Sequence, residues 1–102
     1  MHYAIHNGVE AMHIQMDGCF TFADSHAFQH LLDAIRHCNQ NAEIRLNIEQ
    51  LDYIDATALG LLMDAYDTAK RYRHALVFEQ PHGQVQESLI RAARVNAIQI
   101  AA

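Results

Sequence analysis

The stretch NIEQLDYIDATALGLLMDAYDTAK, residues 47–70, passes from one backbone period to another with no linker between them. Ile44, Leu46 and Ile48 alternate, the period-2 pattern of a half-buried strand. The apolar run stops at Asp55, and from about Ala56 to Arg73 apolar residues recur at helical spacing. A strand that feeds directly into a helix lays that helix back over the sheet it has just left.

The same exchange of periods recurs along the chain. His2 to Ile5 reads as a weak strand and Asn7-Gly8 as a turn. Met12, Ile14 and Met16 alternate as a second strand, and Asp17-Gly18 reads as a turn into a short strand, CFTF. Asp24 or Ser25 can cap a helix in which Phe28, Leu31, Leu32, Ile35 and Cys38 form one apolar stripe, ended by Asn39 to Asn41. ALVFE, residues 75–79, reads as a buried strand. Gly83 leads into a third helix through Val85, Leu89, Ile90 and Ala93, and AIQI near the end can add a last strand. The resulting order, β-β-β-α-β-α-β-α-β, points to an α/β sheet with parallel pairs and helices packed against it.

Composition bounds the function. A chain of 102 residues with 51% apolar content suits one domain with a core that needs no staples. The formal charge of −5 and the scatter of only 7 Lys+Arg argue against a nucleic-acid partner, because such binding rests on neutralising phosphates. Cys19 and Cys38 lack disulfide-framework or zinc spacing and read as reduced thiols. No run approaches the ~20 apolar residues of a membrane span, so no membrane insertion is expected. The start, MHYAIHNGVE, lacks the basic and apolar regions of a signal peptide, so a cytoplasmic protein is expected.

On a helical wheel of about 100° per residue, Leu59, Leu62, Met63, Tyr66 and Ala69 cluster toward a core. Thr57, Gly60, Asp64, Asp67 and Arg71 fall on the other side, with Leu61 at the edge. Thr57 thus heads a solvent-facing stripe at a helix N-terminus, where unpaired N–H groups and the macrodipole tolerate an anionic group. Asp55 is in position to cap the helix. Gly60 lowers helix stability by roughly 1 kcal/mol against alanine, a loss that makes sense where another backbone must come close.

LNIEQLDYIDATALGLLMDAYDTAK resembles the signature of STAS domains, the fold of bacterial anti-sigma factor antagonists. In that signature a strand and an apolar residue precede Asp-Ser-Ser/Thr-Gly-Leu-Gly, which opens a helix; here the residues are Asp55-Ala56-Thr57-Ala58-Leu59-Gly60. IQMDGCFTFAD and RHALVFEQPHGQVQESLIRAARVNAIQI follow the family order, so the likeness covers nearly the whole chain. It implies a single STAS-type domain over residues 1–102, with a central mixed β-sheet and helices packed mainly on one face.

The resemblance further implies a phosphorylation-controlled partner switch, with Thr57 as the modified residue. Unphosphorylated, such a protein binds an anti-sigma factor, often itself a serine/threonine kinase of the histidine-kinase-like ATPase fold, and frees a sigma factor. Phosphorylation releases the partner, and a PP2C-type phosphatase resets the cycle. Asp55, Ala58, Gly60, Leu61, Asp64 and Asp67 are the expected partner-binding residues. The chain departs from the pattern where Ala56 replaces the first hydroxyl residue and Ala58 the first glycine. The family also has constitutive members, including a subunit of a lipid-transport ABC complex and stressosome scaffolds, in which the threonine would make a permanent contact.

Other chemistry is thin. His26, His30, Asp33 and His37 share a helix face opposite the apolar stripe, which reads as a solvated face and not as a metal site. There is no Gly-rich phosphate loop, no Cys-His nucleophile pattern and no defensible carboxylate pair, so no enzyme, metal or cofactor is expected. Tyr66, Tyr72 and Phe78 read as core or core-rim aromatics, and RVNAIQIAA can cover a sheet edge or support a dimer.

Overall fold

Right-handed crossovers between adjacent parallel strands, all advancing in one direction across a sheet, must deposit their helices on one face. This chain makes three of them. The structure, a computed structural model, describes residues 1–8, 11–38, 42–96 and 98–101, with Val95 and Asn96 described by backbone alone. Its elements run β1 (His2–Asn7), β2 (Ala11–Phe20), a 3₁₀ turn (Phe22–Asp24), α1 (Ser25–Arg36), β3 (Glu43–Ile54), α2 (Ala56–Arg71), β4 (Ala75–Glu79), α3 (Gly83–Asn96) and β5 (Ile100–Ala101). The strands lie in sequence order, β1-β2-β3-β4-β5. β1 pairs antiparallel with β2, and each later pair is parallel.

The buried face of the sheet carries Met12, Ile14, Met16, Ile44, Leu46, Ile48, Leu76 and Phe78. The helices meet it with Phe28, Leu31, Leu32 and Ile35 of α1, with Leu62, Ala65 and Ala69 of α2, and with Val85 and Leu89 of α3. Tyr66 stacks on Phe78 at 6.4 Å between ring centroids. The other face is polar: His13, Gln15 and Asp17 are exposed, and Arg45 bridges Glu43 and Glu79 at 3.0 Å each. No helix among the described residues is long and apolar enough to cross a membrane.

Several expected boundaries move. Asp17-Gly18 does not reverse the chain. Both residues stay in β2, paired with Gln50 and Leu51 of β3, and register shifts on either side show the ladder bulging there. Gly18 takes the left-handed φ of +87° that the bulge requires. An Asp-Gly step makes a hairpin only where its flanks pair with each other; here both flanks pair with β3. The expected CFTF strand therefore ends at Phe20, and Phe22 begins the 3₁₀ turn. The β order has one strand fewer than its sequence suggests. The Asn39–Asn41 stop of α1 and the Ala97 end of AIQI lie outside the described residues.

The core face of α2 is also rotated from the wheel reading. Ala58, Leu62, Ala65 and Ala69 are the buried set, while Leu59, Met63 and Tyr66 are half-buried on its flank. Small side chains let the helix axis approach its neighbours, so three alanines occupy the tightest contact and the larger residues fan around it.

α2 ends at Arg71 and not Arg73, in a Schellman motif. His74 N–H donates to the Ala69 carbonyl at 2.8 Å, and Arg73 N–H donates to that of Lys70 at 3.1 Å. The residue in the left-handed position, where glycine is favoured, is Arg73 with φ +63°. That conformation costs a non-glycine residue roughly 1–2 kcal/mol. Arg73→Gly is therefore expected to raise stability by up to about 1 kcal/mol, after the greater unfolded-state freedom of glycine is deducted. Urea denaturation of the two proteins, compared at equal m-value, measures it.

Candidate functional site

The junction of β3 and α2 is organised by one carboxylate. Asp55 leaves β3 extended, at φ −93° and ψ −179°, and serves as N-cap of α2. Its Oδ1 accepts from the Ala58 N–H at 2.7 Å, and its Oδ2 accepts from the Phe22 N–H at 2.9 Å. Its own N–H donates to the Phe20 carbonyl at 3.3 Å, and its carbonyl accepts the first α2 bond, from Leu59 N–H at 3.0 Å. Asp55 thus joins the ends of β2 and β3 to the start of α2.

The loop it holds is built with equal care. Thr21 and Asp24 form a reciprocal capping box around the 3₁₀ turn. Asp24 spends its carboxylate on the Thr21 N–H at 3.0 Å and the Met1 amino group at 3.3 Å, and so makes no side-chain cap for α1. Phe22 is left 70% exposed. Tyr53, two residues before Asp55, is 46% exposed. On the far side, Gln84 of α3 treats the end of β3 as a neighbouring strand would. Its Oε1 accepts from Ile54 N–H at 3.0 Å and its Nε2 donates to the Ile54 carbonyl at 2.8 Å.

On this frame Thr57 is exposed at the second helical position. Among the described residues its hydroxyl has no hydrogen-bond partner. Gly60, Asp64 and Asp67 are exposed below it and Leu61 is half-buried at the edge. A Cβ built on Gly60 would meet nothing within 4 Å. Ala58 is different. It was expected on the partner-facing surface, yet its side chain is wholly buried in the core cluster, and only its amide takes part, through Asp55. The position lies about 100° around the helix from Thr57, on the face turned to the core.

Phe22 and Gln84 were not singled out from the sequence. Gln84 acts through a backbone 30 positions away, for which a single sequence holds no signal. Phe22 carried one: a large apolar residue ahead of a helix cap with no apolar partner at helical spacing. The histidines of α1 point outward; His26 and His30 meet edge to face at 5.7 Å, and Asp33 pairs with Arg36 at 2.7 Å. Both cysteines are free, Cys19 exposed and Cys38 half-buried. Burial raises the Cys38 thiol above its ordinary range, only partly offset by a backbone hydrogen bond.

The model of the family described as "Mlab, STAS domain" matches residues 4–99. No curated protein matches the chain significantly. Among solved structures, a Thermotoga maritima protein assigned provisionally to the anti-sigma factor antagonists superposes with a TM-score of 0.80 at 16% identity, covering 98% of this chain and 86% of that one. The anti-sigma factor antagonist SpoIIAA in its unphosphorylated form gives 0.72 at 16% identity, covering 99% and 88%. The Bacillus cell fate determinant SpoIIAA in its phosphorylated form gives 0.70 at 14% identity, covering 99% and 91%. At these identities the likeness establishes a shared fold.

Two outcomes follow from this geometry. Asp55→Ala leaves two backbone N–H groups without their acceptor, and the expected loss is about 2–3 kcal/mol in urea unfolding; Asp55→Asn, which keeps one acceptor oxygen, loses less. A disulfide reagent at pH 8 should modify Cys19 first and Cys38 more slowly, because only thiolate reacts and burial both shields Cys38 and raises its thiol. Mass spectrometry of a time course resolves the order.

Proposed function

The chain belongs to the STAS domain family, and on that premise we propose that it is an anti-sigma factor antagonist working by partner switching through Thr57. The observation that carries this reading is an exposed threonine without a hydrogen-bond partner among the described residues, on a helix start fastened by Asp55, above a glycine that opens onto free space. Unphosphorylated, the protein docks Thr57, Gly60 and Leu61 against an anti-sigma factor that is also its kinase. Asp64 and Asp67 border the contact. The domain acts by binding and not by catalysis, in the cytoplasm.

The physics supports a switch of surface and not of fold. Phosphorylation adds roughly −1.5 to −2 charges at neutral pH. At the start of α2 the unpaired N–H groups and helix dipole tolerate that charge within the domain. A partner packed closely over Gly60 has no room for the phosphate, and Asp55, Asp64 and Asp67 already weight the surface against acidic groups. Both forms of SpoIIAA match this chain with near-equal scores, in line with a fold indifferent to the modification. A PP2C-type phosphatase would restore the binding form.

A second reading keeps the surface and makes the contact permanent, as a subunit of a transporter or scaffold. Ala56 in place of the signature's first hydroxyl, and the "Mlab" description of the matching family, favour it. Pull-downs from native cytoplasm with wild type, Thr57→Ala, Thr57→Glu and Gly60→Ala separate the two. Switching requires Thr57 to be found phosphorylated, and an anti-sigma protein to be retained by wild type and Thr57→Ala but lost with Thr57→Glu. Gly60→Ala should stabilise the helix by about 1 kcal/mol while weakening capture. If residue 57 is never modified and wild type and Thr57→Ala hold the same transporter or scaffold subunits, the contact is permanent and the switch is wrong.

A further inference from the structure

At the other end of α2, roughly 24 Å from Thr57 at about 1.5 Å per residue, a cavity of about 260 Å³ opens between the C-termini of α1 and α2. It is lined by Arg36, Cys38, Arg71, Tyr72, Arg73 and His74. We propose that this cavity binds a small oxyanion of the phosphate-monoester class, held by Arg36, Arg71 and Arg73 over the Cys38–His74 pair, with its organic part against Tyr72. The site is independent of the partner surface at Thr57.

The concentration of charge is the first argument. The chain has 7 Lys+Arg against 12 Asp+Glu, yet three of those cations line one concavity. Basic residues near helix C-termini are commonly explained as caps for the last carbonyls. Here the last carbonyls of α2 are already served by backbone: Tyr72 N–H donates to Thr68, Arg73 N–H to Lys70 and His74 N–H to Ala69. Among the described residues Arg71 and Arg73 have no ion pair, and Arg36 has only the exposed Asp33. The sign survives the opposing terms. Two helix C-termini contribute about −0.5 each and Asp33 another −1, which leaves about +1 of the three guanidinium charges uncompensated.

The second argument is local strain. Arg73 occupies the left-handed position of a Schellman motif, where glycine closes the helix without penalty. A non-glycine residue held in that region, in the wall of a cavity, points to a use for its side chain.

The wall also holds a buried polar pair. His74 is 6% exposed. Its Nε2 lies 3.2 Å from Cys38 Sγ, and its Nδ1 is buried with no hydrogen-bond partner among the described residues. The thiol has one proton for two acceptors, the Ile35 carbonyl at 3.3 Å and His74 Nε2. Whichever it serves, Nδ1 stays unsatisfied among the described residues, and such atoms are costly. Nδ1 is closed to the cavity as well as to solvent, so the ligand is held by the guanidinium groups and not by the imidazole. Three guanidinium forks also suit a tetrahedral group with three free oxygens better than a carboxylate, which one fork satisfies. Since a water occupies about 30 Å³ of liquid, the volume exceeds the need of a lone phosphate and leaves room beside the Tyr72 ring.

The test is an amide NMR titration with phenyl phosphate at low ionic strength, with sodium chloride at matched ionic strength as control. The expected result is a saturable shift confined to Arg36, Cys38 and residues 71–74, with Asp55–Thr57 unmoved and Thr57→Glu titrating as wild type does. Arg73→Gly removes the strain and so keeps the fold, and it should weaken binding roughly tenfold. Addition of Arg71→Gln should abolish saturation. Shifts that stay linear, that sodium chloride reproduces, or that persist with unchanged affinity in Arg73→Gly would overturn the site.

Discussion

The Asp55 carboxylate is the joint on which this molecule turns. One oxygen closes the first turn of α2 and the other holds the Phe22 amide, while the Asp55 backbone reaches Phe20 and Leu59. Strand ends and helix starts are where backbone groups fall unpaired, and three such ends meet here. A charged acceptor shared between two of them is stronger than two neutral ones would be. Gln84 completes the arrangement by pairing with both backbone groups of Ile54, the residue just before the joint. The helix start that presents Thr57 is therefore fastened to β2, β3 and α3 together.

The two ends of α2 differ in kind. At the N-terminus the exposed groups are a hydroxyl, a glycine and carboxylates, with exposed Phe22 on the adjoining 3₁₀ turn and exposed Tyr53 near the end of β3. That mixture suits a protein surface, where aromatic anchors and a close backbone approach contribute most. At the C-terminus the helix stops on arginines around a concavity. Between them, Ala58, Leu62, Ala65 and Ala69 lie against the sheet and α1 and hold the separation of the two ends constant.

Much of this was readable in advance, for identifiable reasons. The stripe of Phe28, Leu31, Leu32 and Ile35 belongs to α1 because large apolar residues at helical spacing have one way to leave water. Asp55 was legible as a cap, since a carboxylate at a strand-to-helix step has a local partner. The failures share a cause too. Asp17-Gly18 looks like a hairpin turn, and only the pairing of both flanks with β3 makes it a bulge. Ala58 looked like surface because alanine is indifferent to burial, so its side is decided by what stands opposite. Tyr72 reads as a core-rim aromatic in the sequence, yet it is exposed and lines the cavity because α2 stops one residue before it.

The sequence by itself determined the class of fold, the helix that carries Thr57 and the cap that starts it. Those rest on periodicity and on interactions within a few residues, which a linear pattern records. Tertiary structure alone decided that Phe22 is held by Asp55 across 33 positions, that Gln84 closes the end of β3, and that Cys38 meets His74 across 36. Each joins elements that become neighbours only after the parallel crossovers have wound them onto one face of the sheet, and no spacing along the chain encodes that meeting.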